Sequence, residues 1–147
     1  LKKEEQEWPQ LGDDCFYCMS SGQISETTWN DCVFDQQSFE LGNYYKTKEE
    51  VENKVRATRL EATIARRRKE LNGDWVLDWG DTQNKYRIIY WKDWKPEGEA
   101  LKVGSVVNYV FITAFGFYKS RDDAKTIIEE FEEELLWYFT EYLPSIN

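Results

Sequence analysis

Apolar and polar positions fall into short blocks over the first third of the chain. Residues 1–10 form a polar lead-in ending at Trp8-Pro9. Two apolar runs follow, 15–19 and 24–29, separated by Ser20-Ser21-Gly22. A glycine within a polar triplet between two such runs predicts a hairpin. A polar stretch with Asp31, Asp35, Gln36 and Gln37 leads to a third run, 39–45, rich in aromatics. The periodicity then changes. Val51, Val55, Thr58, Ala62 and Ala65 make one helical stripe, with Ala57, Leu60, Ile64 and Leu71 beside it. Thr47 and Glu50 stand at capping-box spacing, no Gly or Pro interrupts 48–71, and Asn72-Gly73 supplies the stop.

The second half repeats this order. Residues 75–79 and 86–91 are aromatic and β-branched runs around a turn at 80–84. Residues 92–98, with Pro96, read as a loop. The longest strand expected is 106–115. Val107, Tyr109, Phe111 and Phe115 fall on one face of it, with Val106, Val110, Ile112 and Ala114 on the other. Two apolar faces suit a central strand. A second helix is expected from Arg121 to about Leu143, capped by Ser120 with Asp123 at the box position and closed by Pro144. Its inner stripe is Ala124, Ile127, Ile128, Phe131, Leu135, Tyr138, Phe139 and Tyr142.

The two halves also match residue by residue. Tyr44-Tyr45-Lys46-Thr47-Lys48-Glu49-Glu50-Val51 aligns with Phe117-Tyr118-Lys119-Ser120-Arg121-Asp122-Asp123-Ala124, and every position is identical or conservative. A capping box alone does not explain the aromatic pair followed by Lys. The pattern predicts an α+β fold of two pseudo-repeated antiparallel β-meander-plus-helix halves packed as one compact unit. Residues 1–10 are the lead-in, 11–73 the first half and 74–147 the second.

Composition narrows the chemistry. Histidine is absent from all 147 residues, which removes His triads and His-based acid–base chemistry. Cys15, Cys18 and Cys32 are an odd count, which argues against a disulfide framework and fits a reducing cytoplasm. In a strand, Cys15 and Cys18 point to opposite faces, so buried thiols are expected rather than a zinc or redox pair. Asp74, Asp78 and Asp81 are spaced for paired-carboxylate or Mg²⁺ chemistry, but they sit in a turn, where Asp is expected anyway. No phosphate loop or nucleophile motif is present. No catalysis and no cofactor or metal are expected. No apolar run reaches the ~18 residues of a membrane span.

Charge points to partners. The net charge of −9 disfavours anionic membranes and phosphate backbones and favours basic protein surfaces. Residues 47–71 carry eight basic and five acidic side chains, whereas 120–142 carry two basic and eight acidic. The expected partner-binding surface joins Glu129, Glu130, Glu133 and Glu134 of the second helix to Trp75, Trp79, Trp91 and Trp94. A row of glutamates can occupy grooves built for phosphates.

The stretch Phe39-Glu40-Leu41-Gly42-Asn43-Tyr44-Tyr45-Lys46-Thr47-Lys48-Glu49-Glu50 resembles small accessory proteins of phages and prophages of Gram-positive bacteria. Phe115-Gly116-Phe117-Tyr118-Lys119-Ser120 with the helix after it, and the strand at 25–29, resemble the same group. The likeness spans most of the chain after Leu11, and the block 85–101 is the most individual part. The resemblance implies a phage-side role in the bacterial cytoplasm, where proteins of this size and acidity are often inhibitors of host defence. The function expected is an acidic inhibitor or adaptor that binds a host protein with a basic surface, such as a nucleic-acid-guided nuclease, in an anti-CRISPR-like manner. Two alternatives remain. One is a nucleic-acid-binding module using Arg56, Arg59, Arg66, Arg67, Arg68 and Lys69 of the first helix. The other is a protein that sequesters a small molecule such as a nucleotide.

Overall fold

The computed structural model describes residues 7–92, 100–108 and 113–147. The element order is β1 (Asp14–Cys18), β2 (Ile24–Thr28), α1 (Val33–Glu40), α2 (Lys48–Asn72), β3 (Lys85–Tyr90), β4 (Leu101–Val106), α3 (Arg121–Trp137), a π-helical turn (Tyr138–Tyr142) and α4 (Leu143–Ser145). The fold is α+β, with two separate two-stranded antiparallel sheets. Among the described residues no helix is long and apolar enough to cross a membrane. By packing, the chain divides into two units, Leu1–Arg56 and Ala57–Asn147. This division falls inside α2 rather than at Gly73, because Ala57, Leu60 and Ile64 of α2 join the core of the second unit.

In the first unit, β1 and β2 pair with Phe16 opposite Glu26. The turn closes with Met19 and Gln23 bonded at 2.8 Å, and Gly22 takes φ +86, a conformation glycine adopts freely. The expected third strand at 39–45 reduces to one residue. Tyr45 exchanges both backbone hydrogen bonds with Phe16, at 2.8 and 2.9 Å. The stretch before it, expected to be a polar connection, is α1. Cys15, Trp29 and Tyr44 form the small core, with Trp8 and Tyr17 against them. The expected capping box is present at the start of α2: the Glu50 amide donates to Thr47 Oγ1 at 3.2 Å and the Thr47 amide to Glu50 Oε2 at 3.3 Å.

The second unit repeats that plan. β3 and β4 pair with Tyr86 opposite Ser105, and Tyr118 exchanges both backbone bonds with Tyr86, at 2.8 and 3.0 Å. The two matched sequence segments thus have the same surroundings. Tyr45 and Tyr118 each add a one-residue bridge to a hairpin, then lead into a capped helix. The core gathers Ile64, Ile88, Leu101, Phe115, Tyr118, Ile127, Leu135, Tyr138 and Tyr142. Two expectations are corrected. Residues 75–79 form no strand, because Asp78 and Asp81 fold the chain into local turns by accepting the amides of Gly80 and Gln83. The strand expected at 106–115 instead ends at Val106, where residues 107–108 bend away and 113–117 are irregular apart from their turn. Residues 109–112, and most of the loop expected at 92–98, lie outside the described residues. The second helix keeps its expected span but not a uniform pitch. Phe131 departs from helical geometry, and Pro144 sits at the first turn of α4 rather than closing the helix.

Candidate binding groove

An open groove of about 730 Å³ runs between β4 and α3 within the second unit. Its geometry follows from the ladder. Tyr86 directs its backbone groups to Tyr118, so Tyr86 and Ser105 are a non-hydrogen-bonded pair. By alternation, Leu101, Val103 and Ser105 turn their backbone groups away from β3. Among the described residues no strand pairs with that outer edge. The Val103 carbonyl there accepts a hydrogen bond from Arg121 Nη1 at 3.3 Å, and the Arg121 guanidinium lies 5.5 Å from the Tyr86 ring centroid. The groove's aliphatic lining comes from Ile89, Leu101, Val103, Ile128 and Leu136. Trp91 forms a wall and is half exposed. Lys102, Arg121, Lys125, Glu129 and Glu132 also line the groove, so both signs of charge are present.

The expected acidic and aromatic surface is only partly assembled here. Glu129 and Trp91 line the groove together. Glu130 belongs to a different contact. Arg67 grips both its oxygens, with Nε at 2.9 Å and Nη2 at 2.8 Å, while Glu70 takes Nη1 at 3.2 Å. The Arg67 hydrogen bonds hold the Glu130 carboxyl below its ordinary range, and the two glutamates raise the Arg67 guanidinium in turn. Glu133 is exposed and Glu134 half buried, so the four glutamates do not form one uniform row. Trp75 is half buried. Trp79 packs edge-on against Phe117 at 5.2 Å. Trp94 lies outside the described residues.

The basic helix is also partly committed to the fold. Arg68 Nη1 donates to the Phe115 carbonyl at 2.7 Å, and Arg66 reaches Thr63 Oγ1 at 3.3 Å. Arg59 and Lys69 are exposed. The three cysteines are free, and the buried Cys15 thiol is pushed up chiefly by desolvation. Among the described residues no group of three or more His, Cys, Asp or Glu side chains is arranged to hold a metal ion.

Two buried polar centres escaped the sequence reading. Lys85 is 1% exposed, and its ammonium donates to Asp81 Oδ1 at 2.6 Å and to the carbonyls of Gln83 at 3.0 Å and Val107 at 2.9 Å. Its three donors are thereby satisfied. The Trp79 ring lies 5.8 Å away, and the Asp81 carboxyl is held low mainly by the Lys85 hydrogen bond. In the first unit, buried Asp35 accepts from the Asn30 amide at 2.8 Å and from Tyr44 Oη at 2.9 Å. The amide of Asn30 lowers the Asp35 carboxyl, and burial, seconded by Asp35, pushes the Tyr44 hydroxyl up to about 12. Neither centre has a pattern in the sequence. A lysine at a strand start and an aspartate in a polar run both look solvated.

No protein-family model matches the chain, and no curated protein and no solved structure matches it either.

Proposed function

We propose that this chain is a non-catalytic binding protein that takes an extended segment of a partner protein along the outer edge of β4. The observation that carries the reading is the groove itself: about 730 Å³ of space beside a strand edge, with aliphatic and charged side chains in its lining. An added strand would bond to the outward groups of Leu101 and Ser105 and to the Val103 amide, displacing Arg121 from the Val103 carbonyl, and its alternate side chains would meet the aliphatic lining. The finer reading is an inhibitor of a host defence nuclease, of phage origin. Support for it comes from the resemblance of the 39–50 and 115–120 segments to phage accessory proteins, and from the net charge of −9, which favours a basic partner. Phosphate mimicry by the α3 glutamates is the weaker route. Glu130 is engaged by Arg67, and Arg121 and Lys125 stand on the same helix.

The test is selection of binders from a random peptide library, followed by substitutions in the chain. Selected peptides should lose about tenfold in affinity on Trp91→Ala and on Ser105→Pro. The latter removes an outward amide without touching the β3 ladder. Peptides indifferent to both changes would refute groove binding. The groove also lies within the ~300–1,000 Å³ range of ligand pockets, which favours small-molecule sequestration as a second reading. A thermal-shift screen with nucleotides separates the two, since only sequestration predicts a raised Tm.

A further inference from the structure

α1 is built inside out. It buries Asp35 and Ser38, at 3% and 9% exposure, while Val33, Phe34 and its C-terminal neighbour Leu41 are 68%, 67% and 85% exposed. At 100° per residue, Val33, Phe34, Gln37 and Leu41 share the outward side and Asp35 and Ser38 turn inward, with Phe39 beside them and still 42% exposed. The orientation is fixed from within. Asp35 is bonded to Asn30 and Tyr44, and the Phe39 ring meets Trp8 at 5.8 Å and Trp29 at 6.0 Å. A rotation that hid Phe34 would break the Phe39 ring contacts with Trp8 and Trp29 and strip Asp35 of its donors. Scattered exposed apolar residues are ordinary, but a helix whose two buried residues, Asp35 and Ser38, are both polar while Val33 and Phe34 stand in solvent is not.

The surroundings define what would cover this face. No lysine or arginine occurs between Lys3 and Lys46, whereas Glu7, Asp13, Asp14, Glu26, Asp31 and Glu40 all fall in that interval. Asp31 and Glu40 stand at the two ends of α1. An apolar stripe with an exposed carboxylate at each end, Asp31 and Glu40, complements an apolar cleft flanked by Lys or Arg. A second copy of this face would set like charges against each other, and an anionic membrane would repel it. We propose that the Val33–Phe34–Leu41 face of α1 is a second docking surface, for a basic protein partner that presents an amphipathic helix or cleft. It lies in a different unit from the β4 groove and uses none of the groove's residues.

A synthetic amphipathic Leu/Lys helix serves as the probe, titrated into the whole chain by calorimetry. Binding is expected to weaken about tenfold with either Phe34→Ser or Leu41→Ser, and to weaken with added salt. Both side chains are exposed, so Tm should stay within about 2 °C. Trp91→Ala, the groove change, should leave this binding unaltered. The inference is overturned if the probe binds both serine variants like the parent, or if a Leu/Glu helix binds as well. It is also overturned if the parent chain is a dimer that the serine substitutions dissolve, or if it binds zwitterionic vesicles through this face. Loss on Trp91→Ala with no loss on Phe34→Ser would overturn it while leaving the groove reading intact.

Discussion

Gly116→Ala puts the joint between α2 and the α3 entry under a measurable load. Gly116 has φ +70, and a Cβ built there would stand 2.5 Å from Cζ of Arg68. Two costs arise. The left-handed conformation costs an alanine about 1 kcal/mol. The guanidinium must also leave, breaking its 2.7 Å bond to the Phe115 carbonyl. For a half-buried charged donor that loss is about 1.5 kcal/mol. The sum, about 2.5 kcal/mol, should lower Tm by about 8 °C in a chain of this length. Urea unfolding followed by circular dichroism at 222 nm measures it. The decisive comparison is a double-mutant cycle with Arg68→Ala. Once the guanidinium is gone, Gly116→Ala should cost only its backbone strain of about 1 kcal/mol, leaving a coupling of about 1.5 kcal/mol. Strict additivity, or a Gly116→Ala chain as stable as the parent, would refute the contact as described.

Other expectations concern the buried polar groups. Lys85→Met retains the packed stem but removes the donor from the Gln83 and Val107 carbonyls, so it should destabilise by about 2 kcal/mol, read as a lower urea midpoint. An unchanged midpoint would show that water already serves those carbonyls. The carboxyls of Asp35, Asp81 and Glu130 are lower in the folded chain than their ordinary values of 3.8, 3.8 and 4.5. Their stabilisation is therefore present above those values and lost as pH falls through the folded ones, so the urea midpoint should drop below about pH 4. A midpoint constant from pH 5 to 2.5 contradicts this. Tyr44 and Tyr118 are pushed from 10.0 to about 12, mainly by burial, and Tyr138 is raised for the same reason. That stabilisation is complete below pH 10 and disappears as pH rises through about 12. Absorbance at 295 nm should show Tyr44, Tyr118 and Tyr138 ionising well above pH 10; their ionisation near pH 10 in a folded chain would count against it.

The parts of the fold that could be read from the sequence are those set by local chemistry. The β1–β2 hairpin follows from two runs around Gly22, and the start of α2 from a Thr47–Glu50 reciprocity that the backbone carries out. The Tyr44 and Phe117 segments matched in sequence because each performs the same bridge-and-cap task. α1 was hidden because pattern analysis assumes that apolar residues face inward, and there Asp35 and Ser38 do so. β4 was displaced because Leu101–Val106 contains Lys102, Gly104 and Ser105, a weaker strand pattern than the apolar run after it. At the groove, Trp91 and Glu129 could be proposed from composition, but their meeting depends on α3 lying along β4, a long-range fact. Arg67 and Glu130 stand 63 positions apart, and nothing local announces their pairing.

The cation-free interval from residue 4 to residue 45 has a practical corollary. A protease that cuts only after lysine or arginine releases the whole of β1, β2 and α1 on a single fragment. Hydroxyl-radical labelling of Met19, Phe34 and Leu41, with and without a bound partner, is then read by mass spectrometry on one peptide, in which the shielded and unshielded side chains calibrate each other.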